Sequence, residues 1–131
     1  MIEDPYAYQK LIGFKITDWS EGYCRLELPL REDHGNRYGL PHGGVHATLL
    51  DTAMGFAGSW SDSDDKIMAM TLSLTLQYLS RPRGGVLVAE GHRTGGGRST
   101  FFAEGSVVDD TGELIANGTG TFRYRRGALE G

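Results

Sequence analysis

Between Gly43 and Trp60 the apolar residues recur at helical spacing, while through most of the remaining chain they alternate with polar residues at strand spacing. That contrast confines the fold. At about 100° per residue, Val45, Leu49, Leu50, Ala53, Phe56, Ala57 and Trp60 fall on one arc, the core-facing stripe of a long helix. Asn36, Gly39 and Pro41 before it are turn formers, and Pro41 disfavours helix at Leu40, so the helix is expected to begin at Gly43 or Gly44. Strands are expected at Phe14–Trp19, Tyr23–Leu30, Ile67–Leu79, Val86–Thr94, Ser99–Asp109 and Glu113–Arg125, separated by turn chemistry such as Ser20-Glu21-Gly22 and Asp110-Thr111-Gly112. In the second of these, Cys24, Leu26, Leu28 and Leu30 alternate with Arg25 and Glu27, the mark of a sheet with one buried face. Unbroken alternation in Ile67–Leu79 predicts that Met68, Met70, Leu72, Leu74, Leu76 and Tyr78 cover the helix. Ala69, Thr71, Ser73, Thr75 and Gln77 then face away. A short N-terminal helix, a brace or a lid, is expected to be capped by Asp4, opened by Pro5 and ended by Gly13. One long helix among hairpin-linked strands, with no βαβ alternation, reads as an α+β domain whose antiparallel sheet wraps a single central helix.

Asp51 lies off the apolar stripe and is the only charged residue between His46 and Ser61. A solvated helix face normally carries several charges. The lines around Asp51 carry Ala47, Thr48, Gly55 and Gly58 instead, so the carboxylate is expected to be either buried or at a cleft, which makes it a candidate general base. Glycine inside a helix costs roughly 1 kcal/mol relative to alanine, so Gly55 and Gly58 predict a close approach by a ligand or a second chain. At the helix start, unpaired backbone N–H groups and the positive end of the helix dipole favour a negative oxygen. Gly43 and Gly44 leave those amides open, with His42 and Asn36 near as further donors, a plausible oxyanion hole.

The length of 131 residues fits one domain, residues 1–131. A hydrophobic fraction of 39% with 23% charged residues is that of an ordinary globular protein, and no apolar run reaches the roughly 18 residues a membrane span needs. A net charge of −4 argues against nucleic-acid binding. Met1-Ile2 is followed directly by Glu3, Asp4 and Pro5, which is not a secretory leader pattern, so a cytoplasmic location is expected. One cysteine, Cys24, excludes an internal disulfide and fits a small core or interface residue. Asp62, Asp64 and Asp65 lack the glycine and distal glutamate of a calcium loop, His34, His46 and His92 share no metal-ligand spacing with His42, and no metal or cofactor is expected. Arg81, Arg83, Arg123, Arg125 and Arg126 are either solvated surface or basic patches for an anionic ligand.

The ordered set Asn36, His42-Gly43-Gly44, Leu50-Asp51 and Met54-Gly55 resembles the signature of the hotdog-fold acyl-CoA thioesterases of the phenylacetate-pathway type. The resemblance continues through Thr71 to Pro82, Gly97-Arg98-Ser99 and Gly112 to Phe122. It implies the hotdog fold, a homodimer or dimer of dimers with active sites between subunits, and an acyl-CoA substrate. By the same resemblance Asp51 is the catalytic carboxylate, Gly43 the oxyanion-hole amide, Asn36 a donor to the substrate carbonyl and Thr71, from the partner subunit, the residue that holds the attacking water. His42 braces the loop around Asn36, and Gly44, Gly97, Arg98 and Ser99 contact substrate. Water activation by Asp51 and direct attack through an anhydride both remain open, as do two other readings on this fold: a dehydratase or hydratase, and a non-catalytic acyl-CoA-binding module.

Overall fold

A computed structural model of the chain describes residues 2–125. The long helix, α2, runs from Gly43 to Ala57, and a shorter one, α1, covers Ala7–Ile12. The strands are β1 (Lys15–Ser20), β2 (Tyr23–Pro29), β3 (Met68–Tyr78), β4 (Val86–Gly96), β5 (Thr100–Asp109) and β6 (Leu114–Arg125). They form one antiparallel sheet in the order β1-β2-β4-β5-β6-β3, and α2 touches every strand. The chain leaves β2, crosses the sheet as α2 and re-enters at the far edge as β3. This is the expected α+β architecture.

The core lies between α2 and the concave face of the sheet. Leu49, Leu50, Ala53 and Met54 are fully buried against Leu26, Leu28, Leu87, Phe101 and Ile115. Each large aliphatic side chain removed from water contributes about 1.5–3 kcal/mol, so this one helix face supplies a large share of the driving force for folding. The stripe differs from expectation at its end. The helix stops at Ala57, so Trp60 lies beyond it and Met54 takes a core position. Three side chains satisfy carbonyls of the last turn and fix where it ends. Trp19 Nε1–H donates to Phe56 O at 2.7 Å, Ser59 Oγ to Gly55 O at 2.8 Å and Tyr124 OH to Gly58 O at 2.8 Å.

Two glycines explain how closely helix and sheet approach. A Cβ on Gly91 would lie 2.4 Å from the Ala53 carbonyl oxygen, so the α2 backbone rests directly on β4. A Cβ on Gly58 would lie 2.0 Å from the Phe101 ring, which stacks on Phe122 at 4.9 Å. The neighbour that Gly58 admits is therefore this chain's own sheet, and neither a ligand nor a second chain is needed there.

Two further expectations change. α1 is capped at Tyr6, whose N–H goes to Gln9 Oε1, instead of at Asp4; Gly13 ends the helix in the left-handed region at φ 97° as expected. In β3 the pairing with β6 runs Thr71 to Phe122 and then Ser73 to Thr121, so Leu72 is an inserted residue. This bulge moves the inward set from one parity to the other. Ala69 and Thr71 face the helix before it, and Leu74, Leu76 and Tyr78 after it. Met68, Met70 and Leu72 are left outside, 42%, 43% and 51% exposed.

Candidate active site

The bulge is what brings Thr71 to Asp51. Asp51 sits half-buried on the side of α2 that faces β3, and Thr71 Oγ1 donates to Asp51 Oδ1 at 2.6 Å. Both residues belong to one chain, which corrects the expectation that Thr71 arrives from the partner subunit. They open on a cavity of about 410 Å³ walled by Tyr6, Trp19, Phe56, Ile67, Met68 and Phe122, and Gly55 also lines it. A Cβ on Gly55 would lie 3.4 Å from the Phe122 ring, so at Gly55 too the close neighbour is this chain's own sheet. Burial pushes the Tyr6 hydroxyl above its ordinary range, so it is a neutral group at this wall. The α1 helix lies across α2 just upstream, where Tyr8 OH and Thr48 Oγ1 share a hydrogen bond of 2.8 Å.

A second cluster forms at the start of α2. His42 is the N-cap, and its Nδ1 accepts the Gly44 N–H at 2.8 Å. A Cβ on Gly44 would lie 3.0 Å from that nitrogen, so Gly44 makes room for the cap, and its amide is already taken within the chain. The Val45 N–H pairs with His42 O, which leaves Gly43 N–H as the first-turn amide with no partner among the described residues. Asn36 Oδ1 accepts from the N–H groups of Tyr38 and Leu40, at 2.8 and 3.1 Å, so its Nδ2 is the end free to donate. The His42 ring is engaged by the helix it caps, and the histidine whose ring ties loop to scaffold is His34, which joins the turn before Asn36 to α1. Its ring is buried, accepting from Arg31 N–H at Nδ1 and donating from Nε2 to Ile12 O at 2.7 Å.

Tyr78 was not singled out from the sequence. Its hydroxyl donates to Gly43 O at 2.9 Å, and its ring would lie 3.5 Å from a Cβ at Gly43. Gly43, Asn36, His46 and Tyr78 line a cleft of about 310 Å³ with Arg81 at its margin. Alternation alone puts Tyr78 on the helix-facing side, where it lies, but does not show that it reaches the first turn of α2; the break in parity concealed Thr71, which alternation puts on the opposite side.

The remaining candidates lie apart from both clusters. Gly97, Arg98 and Ser99 form the exposed β4–β5 turn, and Tyr124 N–H bonds Ser99 O, which puts that turn at the end of β6 carrying Arg123 and Arg125. Arg81 and Arg83 lie beyond the other end of β3, on the order of 25 Å away along the strand, so the arginines of one chain make two groups instead of one patch. Arg126 lies outside the described residues. Asp109 fixes the loop that carries Arg81. Its carboxylate accepts from the N–H groups of Arg83 and Gly84 on one side and of Thr111 and Glu113 on the other, and from Thr111 Oγ1 at 2.6 Å, which together hold its pKa far below the usual carboxylate range.

Within one chain the two clusters stand apart. Gly43 and Asp51 are eight residues apart on α2, roughly 12 Å of helix axis. The free N–H of the first turn also points out of the helix start, away from Asp51.

The model of the thioesterase superfamily matches residues 38–116, more than half of the chain. A putative esterase of Halobacterium salinarum is 35% identical over 133 residues, covering 94% of this chain and 87% of that protein. The 1,4-dihydroxy-2-naphthoyl-CoA hydrolase of Listeria monocytogenes is 26% identical, covering 82% of this chain and 86% of its own length. Among solved structures, a conserved protein of Pseudomonas aeruginosa superposes with a TM-score of 0.85 at 29% identity, covering 92% of this chain and 95% of that one. The PaaI protein of the Escherichia coli phenylacetic acid degradation operon superposes with a TM-score of 0.80 at 20% identity, covering 92% and 85%. With its six-stranded antiparallel sheet laid around one long helix, the chain belongs to the thioesterase superfamily and has the hotdog fold of that family's PaaI-like members.

Proposed function

We propose that the protein hydrolyses acyl-CoA thioesters at a site assembled from two copies of the chain. The observation that carries this is the placement of both clusters along β3. Thr71, bonded to Asp51, stands toward one end of that strand, and Tyr78, bonded to Gly43 O, stands at the other. β3 is also an edge of the sheet and, at eleven residues, longer than β1 at the other edge, with Met68, Met70 and Leu72 exposed on it. A long apolar edge strand is a template for pairing. Antiparallel pairing of β3 with β3 of a second copy exchanges the ends, so the Asp51–Thr71 pair of one chain meets the Gly43 amide and Asn36 of the other. Arg98, Arg123 and Arg125 then approach the partner's Arg81 and Arg83, a basic setting for the phosphates of CoA.

In such a site the thioester carbonyl oxygen takes the Gly43 N–H at the positive end of α2, with Asn36 Nδ2 beside it. Asp51 accepts a proton from a water as that water's oxygen bonds to the carbonyl carbon, and Thr71 holds the carboxylate in orientation. Collapse of the tetrahedral adduct breaks the C–S bond, and CoA leaves as the thiol with the free acid as co-product. Direct attack by Asp51, giving an anhydride that water then opens, yields the same products. The Listeria relative's name, a CoA hydrolase, supports this substrate class.

Thiol release from a panel of aryl-, short- and medium-chain acyl-CoAs tests the reading. Cys24 stays silent in that assay, because burial pushes its thiol up to about 12. Release is expected from at least one member, with a loss on the order of 10²–10⁴ in kcat for a folded Asp51→Asn variant. Tight CoA binding with no release from any thioester would replace hydrolysis with a binding role.

A further inference from the structure

His46 is the one buried histidine whose ring is not accounted for by the fold. It is 5% exposed, and its Nδ1 is the only enclosed side-chain nitrogen or oxygen without a hydrogen-bond partner among the described residues. Its neighbours give Nδ1 no partner: Val45, Leu49 and Leu50 beside it on α2 are buried aliphatic residues, and the Tyr78 ring lies 6.0 Å away with its hydroxyl committed to Gly43 O. A partnerless buried nitrogen lowers stability, so an apolar side chain would serve packing better. Burial also pushes the imidazole below its ordinary pKa, so near neutral pH it is uncharged and carries a single N–H.

The placement of the ring says where that N–H points. Side chains on a helix lean toward its N-terminus, so His46 lies over the turn that begins at Gly43, three residues earlier. Both residues line the 310 Å³ cleft at the start of α2, together with Asn36 and Tyr78. Since Nδ1 is enclosed, Nε2 is the ring nitrogen left toward the cleft. A proton on Nδ1 would bury a donor with nothing to receive it, whereas a proton on Nε2 leaves only a lone pair enclosed.

We propose that His46 is a further oxyanion donor: its Nε2–H hydrogen-bonds the carbonyl oxygen of the acyl thioester seated at the Gly43 amide. This rests on the function proposed above. A neutral imidazole suits the task, because it donates to a developing negative charge without giving up its proton.

The test uses two non-hydrolysable CoA derivatives of the same chain length, a ketone with methylene in place of sulfur and a thioether lacking the carbonyl oxygen. Calorimetric titration gives their relative affinities for the wild type and for His46→Phe, His46→Leu and His46→Gln. The wild type should favour the ketone. That preference should fall about tenfold in His46→Phe and His46→Leu and return in His46→Gln, whose amide keeps a donor near the place of Nε2. The Tm of the Phe and Leu variants should equal or exceed that of the wild type, since an orphaned nitrogen is removed. An unchanged ketone preference in folded Phe or Leu variants overturns the role of His46 while leaving the hydrolase reading intact. Loss of the fold in both overturns it as well, by showing that the imidazole serves the core. A wild type that binds neither derivative overturns both readings together.

Discussion

At the scale of single residues, the contact that does most to define the chemistry is the 2.6 Å hydrogen bond from Thr71 to Asp51. A hydrogen bond to a charged group contributes about 1.5–3 kcal/mol, so removing the hydroxyl should slow turnover by roughly 10- to 100-fold through a misaligned carboxylate. Steady-state kinetics on Thr71→Val should show that loss chiefly in kcat, with Thr71→Ser recovering most of it; equal activity in Val and Ser variants would remove Thr71 from the site. The place of Asp51 beside a cavity was legible from the sequence because it stands alone among small residues on a helix. The split of duties among the histidines was not. Nothing in the spacing of His34, His42 and His46 shows that one braces the loop, one caps the helix and one is left with an unpartnered nitrogen, since those roles depend on which backbone groups the fold brings to each ring.

At the scale of elements, contact between α2 and the sheet is governed by β4. A Cβ on Gly91 meets helix backbone, which cannot swing aside as a side chain would, so Gly91→Ala should cost about 3 kcal/mol or more. Gly85, with open space around its Cβ, is the control: Gly85→Ala should be neutral or slightly stabilising in denaturant titration. A Gly91→Ala variant as stable as Gly85→Ala would show that the helix is free to lift from β4. Asp109 joins the β3–β4 loop to the β5–β6 turn through its five donors, and its depressed pKa fixes the sign of a pH effect. The stabilisation is present above the unfolded-state pKa of about 4 and is lost as pH falls through the lower folded value. Tm of the wild type should therefore exceed that of Asp109→Asn at pH 7, and the gap should narrow below about pH 4. A gap independent of pH would mean that the charge of Asp109 is not its source.

The elements were largely legible, and the reason is physical. Helical and strand periods differ enough to separate α2 from its sheet, and Gly13 and the glycine-rich turns mark where segments stop. The β3 bulge was hidden because Met68, Met70 and Leu72 continue an apolar alternation on a face that is outside the core. Their apolarity fits an intermolecular edge, and period-two patterning cannot tell a core face from an interface.

At the scale of the whole molecule, the proposed function makes each chain half of a site twice over. α2 carries the open amide at its start and the carboxylate two turns later, and β3, running the other way, carries their partners in the reverse order, Thr71 and then Tyr78. The amide can be deleted with little harm to the helix. Proline is tolerated at the first helical position, and His42 before it already has φ −61° and ψ 142°, which suits a following proline. The direct measurement is thioesterase activity after Gly43→Pro and Asp51→Asn proteins, each inactive alone, are unfolded together, refolded and assayed as a mixture. If sites form between chains of a two-fold dimer, half of the dimers are mixed and each regains one intact site, so activity should return to about a quarter of the wild-type level. If each site lies within one chain, every site in the mixture still carries a lesion, and activity that stays at the level of the separate variants would contradict the shared site.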